Sequence, residues 1–375
     1  DPFNEILKNK SINNIQNLNF FKSVKSEIKD GSSDETKIID IIVEEKPTGE
    51  IMASAGVGTS GSSIGAGVKE NNFLGKGISL TSNLTLSTES IKGIFSVRNP
   101  NFRNSDKAIY ASAEALETDK LKDYGYKTNK TGFSFGTNFE YYDDVTLGVG
   151  TSNYYEKMET DSSASTLRKK QEGTYWDSFI KLDIDYDKRN QKFQTSDGFR
   201  SYYSLDLPMI SDTNTLKNVY NYKYFTELYE NNITTASIYL SAVNSISSDD
   251  VKLSERINIP SRRLRGFQFG RVGPKDGNDF IGGNFASTLN ISTTLPQILE
   301  NNQTTDFLLF LDVGNLWGVD YDSSIDDTNK IRSAIGFGVD WFTPIGPLNF
   351  SLASPITKAS SDETESFRFN LGTTF

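Results

Sequence analysis

From Ile51 to the end of this 375-residue chain, apolar and polar side chains alternate with a period of two, a pattern that requires long strands covered differently on their two faces. In "GISLTSNLTLST", Ile78, Leu80, Leu84 and Leu86 fall on one face, opposite Ser79, Thr81, Asn83 and Thr85. In "YWDSFIKLDIDY", Trp176, Ile180, Leu182, Ile184 and Tyr186 oppose Asp177, Lys181, Asp183 and Asp185. "VYNYKYFTELYE" and "SAIGFGVDWF" repeat the pattern, the latter with Ile335, Phe337, Val339 and Trp341 against Gly336, Gly338 and Asp340. Half-buried strands of a soluble sheet also alternate. These run about ten residues or more, and roughly ten residues at about 3.3 Å each, tilted near 40°, span about 25 Å, the apolar band of an outer-membrane barrel. Such runs begin near residues 51, 63, 77, 90, 107, 131, 144, 175, 199, 216, 233, 282, 305, 332, 347 and 366, which makes sixteen, an even number as closure requires. The expected fold is all-β: a sixteen-stranded antiparallel transmembrane barrel over residues 49–375.

Composition narrows the chemistry. There is no histidine and no cysteine, which removes the commonest general base, thiol catalysis and the usual soft metal ligands, so no enzyme, no metal and no cofactor is expected. The 39 basic and 49 acidic side chains give net charge −10, which argues against nucleic acid as a partner. No stretch approaches 18 apolar residues, so no membrane helix is expected. Aromatic residues make up 12% of the chain, enough for the two girdles of a membrane barrel.

Residues 1–48 differ from the rest. "NEILKNKSINNIQNLNFF" places Ile6, Leu7, Ile12, Ile15 and Leu18 near helical spacing, and "KSVKSEIKD" and "TKIIDIIVEE" read as strands around "GSSDE". That is too little to bury a full core, and it looks like part of a small α/β module whose beginning is missing. "GVGTSG", Gly56 to Gly61, matches a dinucleotide fingerprint but runs on into another alternating strand, so it reads as a hairpin. "DYDSSIDDTN", Asp320 to Asn329, lacks the glycine and closing glutamate of an EF-hand loop and reads as solvated, with weak calcium binding as the other reading. The longest interruption of the alternation, residues 246–281, contains "RRLRGFQFGRVGP", a length that is uncommon unless functional.

The last ten residues, "SFRFNLGTTF", set Phe367, Phe369, Leu371, Thr373 and Phe375 against Arg368, Asn370, Gly372 and Thr374, and resemble the C-terminal signal of bacterial outer-membrane barrels. Other segments resemble the POTRA-plus-barrel family of BamA-type assembly factors. "DPFNEILKNKSINNIQNLNFFKSV" and "DIIVEEKPTGEI" are similar to the C-terminal part of the last POTRA domain. "NNFLGKG" and "VRNPNF" resemble the first barrel hairpins, and "TSDGFR" a turn near mid-barrel. "LRGFQFGRVGP" with the later "GGN" resembles the long sixth loop, and "FLDVGNLW" and "DWFTPIGPLNFSLASP" the final strands. Leu264 stands where the family usually has valine, and Ser292 where some members carry a glutamate facing the lumen.

The resemblance implies a factor in the bacterial outer membrane that inserts and folds client barrels without nucleotide hydrolysis. Its POTRA part would lie in the periplasm and would meet accessory lipoproteins. Its partners would be unfolded barrel clients, outer-membrane lipid and lipopolysaccharide. Loop six would fold into the lumen, with Leu264, Arg265, Gly266 and Phe267 as its tip. In "DFLLFLDVG", Phe307, Leu309, Leu311 and Val313 take the lipid face, so Asp312 takes the lumen face and is read as the acceptor for Arg265, with Asp340 as a second candidate. Arg262, Arg263 and Arg271 are read as solvated or as contacts for lipopolysaccharide phosphates. The family's lateral gate maps onto Ile51, Ala53, Ala55 and Val57 of the first strand and onto Phe369, Leu371, Thr373 and Phe375 of the last. Glycines and small side chains on both strands make that junction the expected weak point. A translocation or secretion member of the same superfamily and a passive porin are the competing readings; an enzymatic barrel ranks behind both.

Overall fold

A computed structural model of the chain describes residues 4–17, 20–33, 36–59, 61–192, 195–229, 232–295, 304–343 and 346–372. Before the barrel come helix α1 (Glu5–Asn17) and the antiparallel pair β1 (Phe21–Asp30) and β2 (Lys37–Glu45). Leu18 and the side chains of Ile6 and Leu7, which the spacing put on the helix's apolar face, fall outside the described residues.

Sixteen antiparallel strands then close into one barrel. The first eight are β3 (Gly49–Gly58), β4 (Gly61–Phe73), β5 (Ile78–Ser87), β6 (Ser90–Asn99), β7 (Lys107–Lys120), β8 (Tyr126–Tyr142), β9 (Val145–Thr160) and β10 (Gly173–Asp187). They continue with β11 (Gly198–Pro208), β12 (Thr215–Tyr229) and β13 (Asn232–Ser245). Loop six follows, carrying a two-residue ladder of β14 (Lys275–Asp276) and β15 (Asp279–Phe280). The wall resumes with β16 (Phe285–Thr294), β17 (Thr305–Trp317), β18 (Arg332–Thr343), β19 (Gly346–Thr357) and β20 (Phe367–Gly372), which pairs back onto β3. Each strand falls where the alternation places one. "GVGTSG" forms the β3–β4 hairpin and opens no helix.

The alternation explains the wall. Leu84, Phe133, Phe135, Leu240, Leu309 and Leu352 point outward and are exposed over the middle of the barrel. Tyr141, Tyr142, Trp341 and Phe342 lie toward the short-turn end, and Tyr155 and Trp176 toward the long-loop end. An apolar outer band edged by aromatics is the surface that hydrocarbon covers and water does not. Among the described residues no helix is long and apolar enough to cross a membrane, and the strands are what could.

The buried apolar residues do not line the wall evenly. Six of the ten in the larger cluster, Val251, Ile257, Ile259, Leu264, Phe267 and Val272, come from loop six and pack on Val243, Ala286, Leu316 and Ala334 of the wall. A second cluster joins Leu253, Phe280 and Ile281 of the same loop to Tyr124, Tyr126, Met158 and Tyr321. Among the described residues, loop six thus supplies nine of the seventeen residues of these two clusters, folded into the long-loop end of the lumen.

A candidate plug and seam

The tip of loop six begins at a single 3-10 turn, Ser261–Arg263, closed by the Arg263 N–H donating to the Pro260 carbonyl at 2.8 Å. The chain then reverses at Gly266, whose φ of +90° disfavours an L side chain. A Cβ there would also lie 3.0 Å from Ala334 Cβ and 3.3 Å from Ala353 Cβ, so the backbone rests directly on β18 and β19. Leu264 and Phe267, on either side of the Arg-Gly pair, are 4% and 1% exposed.

Arg265 and Asp312 meet. The Arg265 backbone N–H and its Nε donate to Asp312 Oδ2 at 3.0 and 2.7 Å, and its Nη2 donates to Oδ1 at 2.8 Å. Asn290 Nδ2 donates to the same Oδ1 at 2.9 Å and to the Arg263 carbonyl at 2.7 Å. The guanidinium lies over the Phe310 ring, 3.4 Å from its centroid. Asp312 is fully buried, and this set of donors is what allows a charged carboxylate there. Asp340 is not the partner: its Oδ1 accepts from Asn349 Nδ2 at 2.6 Å, across the β18–β19 pair.

Two expectations about the flanking charges change. Arg263 does not face outward to lipid phosphates. It bonds Asn221 on β12 and lies 4.6 Å from the centroid of the Tyr239 ring on β13, inside the lumen. The loop around Asp320 is more than solvated, because Asp320 accepts from Arg256 and Asn284 and from the Val251 N–H, fastening the start of loop six.

The sequence did not single out four further buried cations that hold the loops. Arg332 on β18 pairs with Asp362, its Nε and Nη2 each 2.9 Å from a carboxylate oxygen. Arg168 reaches Asp279 at 2.7 Å, and Arg256 reaches Asp320. Lys252 Nζ lies 2.9 Å from Glu156, bonds Asp177, and is 3.9 Å from Glu255. Burial alone would lower the Lys252 pKa, but Glu255, Glu156 and Asp177 outweigh it and raise it.

Among the described residues, the seam has the fewest register pairs of any junction in the wall. β20 pairs with β3 at Asn370↔Gly58, Leu371↔Val57 and Gly372↔Gly56, whereas β3 and β4 pair from Gly49↔Glu70 through to Gly58↔Gly61. One further bond, Thr59 N–H to the Phe369 carbonyl at 3.1 Å, crosses it. Among the described residues, the β3 edge from Gly49 to Ala55 has no partner on the β20 side. Ile51, Ala53, Ala55 and Val57 face outward, with Ile51 90% exposed, and Phe369 and Leu371 share that face across the seam. Thr373 and Phe375 lie outside the described residues.

The Omp85 superfamily domain matches residues 72–375. The outer membrane protein assembly factor BamA of Neorickettsia risticii is 24% identical over 370 residues, covering 96% of this chain and 50% of the relative. The chain thus spans about half the length of the curated relatives it matches. Among solved structures, BamA from Haemophilus ducreyi lacking POTRA domains 1–3 superposes with a TM-score of 0.85 at 22% identity, over 98% of this chain and 78% of that one. CdiB from Acinetobacter baumannii shares the barrel with a TM-score of 0.59 at 12% identity, over 96% and 67%. The chain belongs to the Omp85 superfamily, and its likeness to BamA runs through nearly its whole length.

Proposed function

We propose that this chain is the membrane barrel of an outer-membrane protein assembly factor, which folds client barrels at the β3–β20 seam. The observation that carries the reading is the seam itself. A junction of three register pairs among the described residues, beside a neighbour that pairs along all of β3, is read as the place where the wall parts most cheaply. Parting it leaves backbone N–H and C=O groups facing hydrocarbon, where each unpaired group costs several kcal/mol. A client strand satisfies them by β-augmentation, through main-chain bonds that need no particular side chains. The energy comes from the client's own pairing and lipid-face burial, so no nucleotide is hydrolysed.

Loop six serves this reading as a plug: with Arg265 on Asp312, it holds the lumen side of the C-terminal strands in one arrangement. A passive porin needs an open lumen, and a loop that supplies most of the buried core across it opposes that. Helix α1 with β1 and β2 is read as the end of a periplasmic POTRA domain, the part through which accessory lipoproteins would dock. The test is reconstitution into liposomes with an urea-unfolded client barrel. Client folding, scored by heat-modifiable gel mobility, should run faster than in empty liposomes. Equal rates, with steady ion conductance through the protein, would favour the porin.

A further inference from the structure

We propose that Arg368 is the joint between loop six and the seam strand, so that β20 is held to the loop tip and the seam parts on the β3 side. This rests on the seam reading above. Arg368 sits on the inner face of β20, opposite Ser351 of β19, and is 5% exposed. Its Nη2 donates to the Phe267 carbonyl at 2.7 Å, its Nη1 to the Ser261 carbonyl, and its Nε to the Glu365 carboxylate. Ser261 and Phe267 bracket the tip, so one guanidinium clasps both of its ends.

The chain leading into β20 adds a ladder to the same tip. Gln268 N–H donates to the Glu363 carbonyl at 3.0 Å, Glu363 N–H to Arg271 at 3.0 Å, and Glu365 N–H to Gly266 at 3.1 Å. Phe267 and Thr364 form a β-bridge. The tip is thereby fastened to β17 through Asp312, rests on β18 and β19 at Gly266, and is clasped to β20 through Arg368. A cavity of about 860 Å³ beside the tip is lined by Ser62 and Ser63 of β4 and by Arg262, Arg265 and Asn370. The tip is also bonded to Asn221 of β12 and Asn290 of β16, and among the described residues no hydrogen bond ties it to β3. A guanidinium suits this joint because its fork serves two carbonyls and a carboxylate at once, and withdrawal of the tip would take both carbonyls away and leave most of the guanidinium's donors unpaired.

Arg368 is thus a positioning residue, and the diagnostic property is transmission from tip to strand. Backbone hydrogen exchange is followed in the folded protein, without client, in segments 261–268 and 367–372. Arg265→Ala removes a side chain that bonds Asp312 of β17 and makes no hydrogen bond to β20 among the described residues. It should speed exchange in both segments by about tenfold or more, the scale of losing hydrogen bonds to a charged group. In an Arg368→Ala background both segments should already exchange fast, and adding Arg265→Ala should leave β20 unchanged. Arg368→Lys, which keeps a buried donor, should preserve the transmission in part. A tip freed by Arg265→Ala beside a β20 as protected as in the native protein would overturn the joint, and this arm needs no change at Arg368. Client folding is measured separately: transmission without any effect of seam closure on client folding would sink the seam reading and leave the joint standing.

Discussion

Removing the Arg265 side chain strands a fully buried carboxylate, and the size of the effect follows from the geometry. In Arg265→Ala, Asp312 keeps the backbone N–H of residue 265 and Asn290 Nδ2 but loses two charge-assisted bonds and its counter-charge. With charge centres about 4 Å apart and an effective dielectric near 20, the lost attraction is about 4 kcal/mol. Stripping one partner from a buried pair typically costs about 3–5 kcal/mol. Asp312→Ala should cost less, about 1.5–3 kcal/mol, because the Arg265 side chain is 18% exposed and borders the lumen cavity, where water solvates it. The double variant has no stranded charge and should resemble Asp312→Ala, giving a coupling of at least about 2 kcal/mol. The assay is maleimide labelling of Leu264→Cys, a buried position in a chain with no native cysteine. Labelling rate reports the fraction of time the tip is undocked, so about 3 kcal/mol in Arg265→Ala reads as roughly a hundredfold faster labelling. Coupling below about 0.5 kcal/mol would show that the carboxylate does not hold the tip.

Gly266→Ala should also undock the tip, by about 1–3 kcal/mol, because φ of +90° strains an L residue and its Cβ meets Ala334. Ala334→Gly should relieve the steric part and leave the backbone part, and the same labelling assay separates them; full rescue would mean that φ is not the constraint. Burial pushes the Glu255 carboxyl above its ordinary value of 4.5, with Lys252 opposing. A carboxyl raised by folding contributes stability below its unfolded pKa and loses it as pH rises through the folded value. Glu255→Gln should therefore slow proteolysis of loop six relative to the native chain, and more so as pH rises above the ordinary carboxyl value of 4.5. A ratio that stays flat as pH rises would show that Glu255 is charged at no cost.

The wall was legible because each strand separates lipid from lumen along its whole length, and that contrast is written residue by residue. "DFLLFLDVG" alone puts Asp312 inside, and the period survives in "SFRFNLGTTF", where Arg368 falls on the inner face. What the period cannot say is which inward groups meet. Asp312 and Asp340 are both inward carboxylates of neighbouring strands, and only the path of the loop gives Arg265 to the first. Lys252 finds Glu156 across 96 positions, and Arg256 finds Asp320 across 64, by the fold of loop six within the closed barrel. For the same reason Arg263 read as a surface charge: nothing local signals that its neighbours would be Asn221 and Tyr239 of the inner wall. Buried cations whose partners lie on distant strands and loops carry no spacing signal, and the sequence marked none of these four.

The most direct test of the account is to close the seam reversibly. Val57 and Leu371 are register partners across β3 and β20, and the absence of native cysteine leaves a Val57→Cys/Leu371→Cys pair free to bond only to each other. Oxidised protein in liposomes should retain a folded barrel, by heat-modifiable mobility, and lose client folding, and reduction should restore it. Client barrels folding at the unlocked rate through an oxidised seam would contradict assembly at β3–β20.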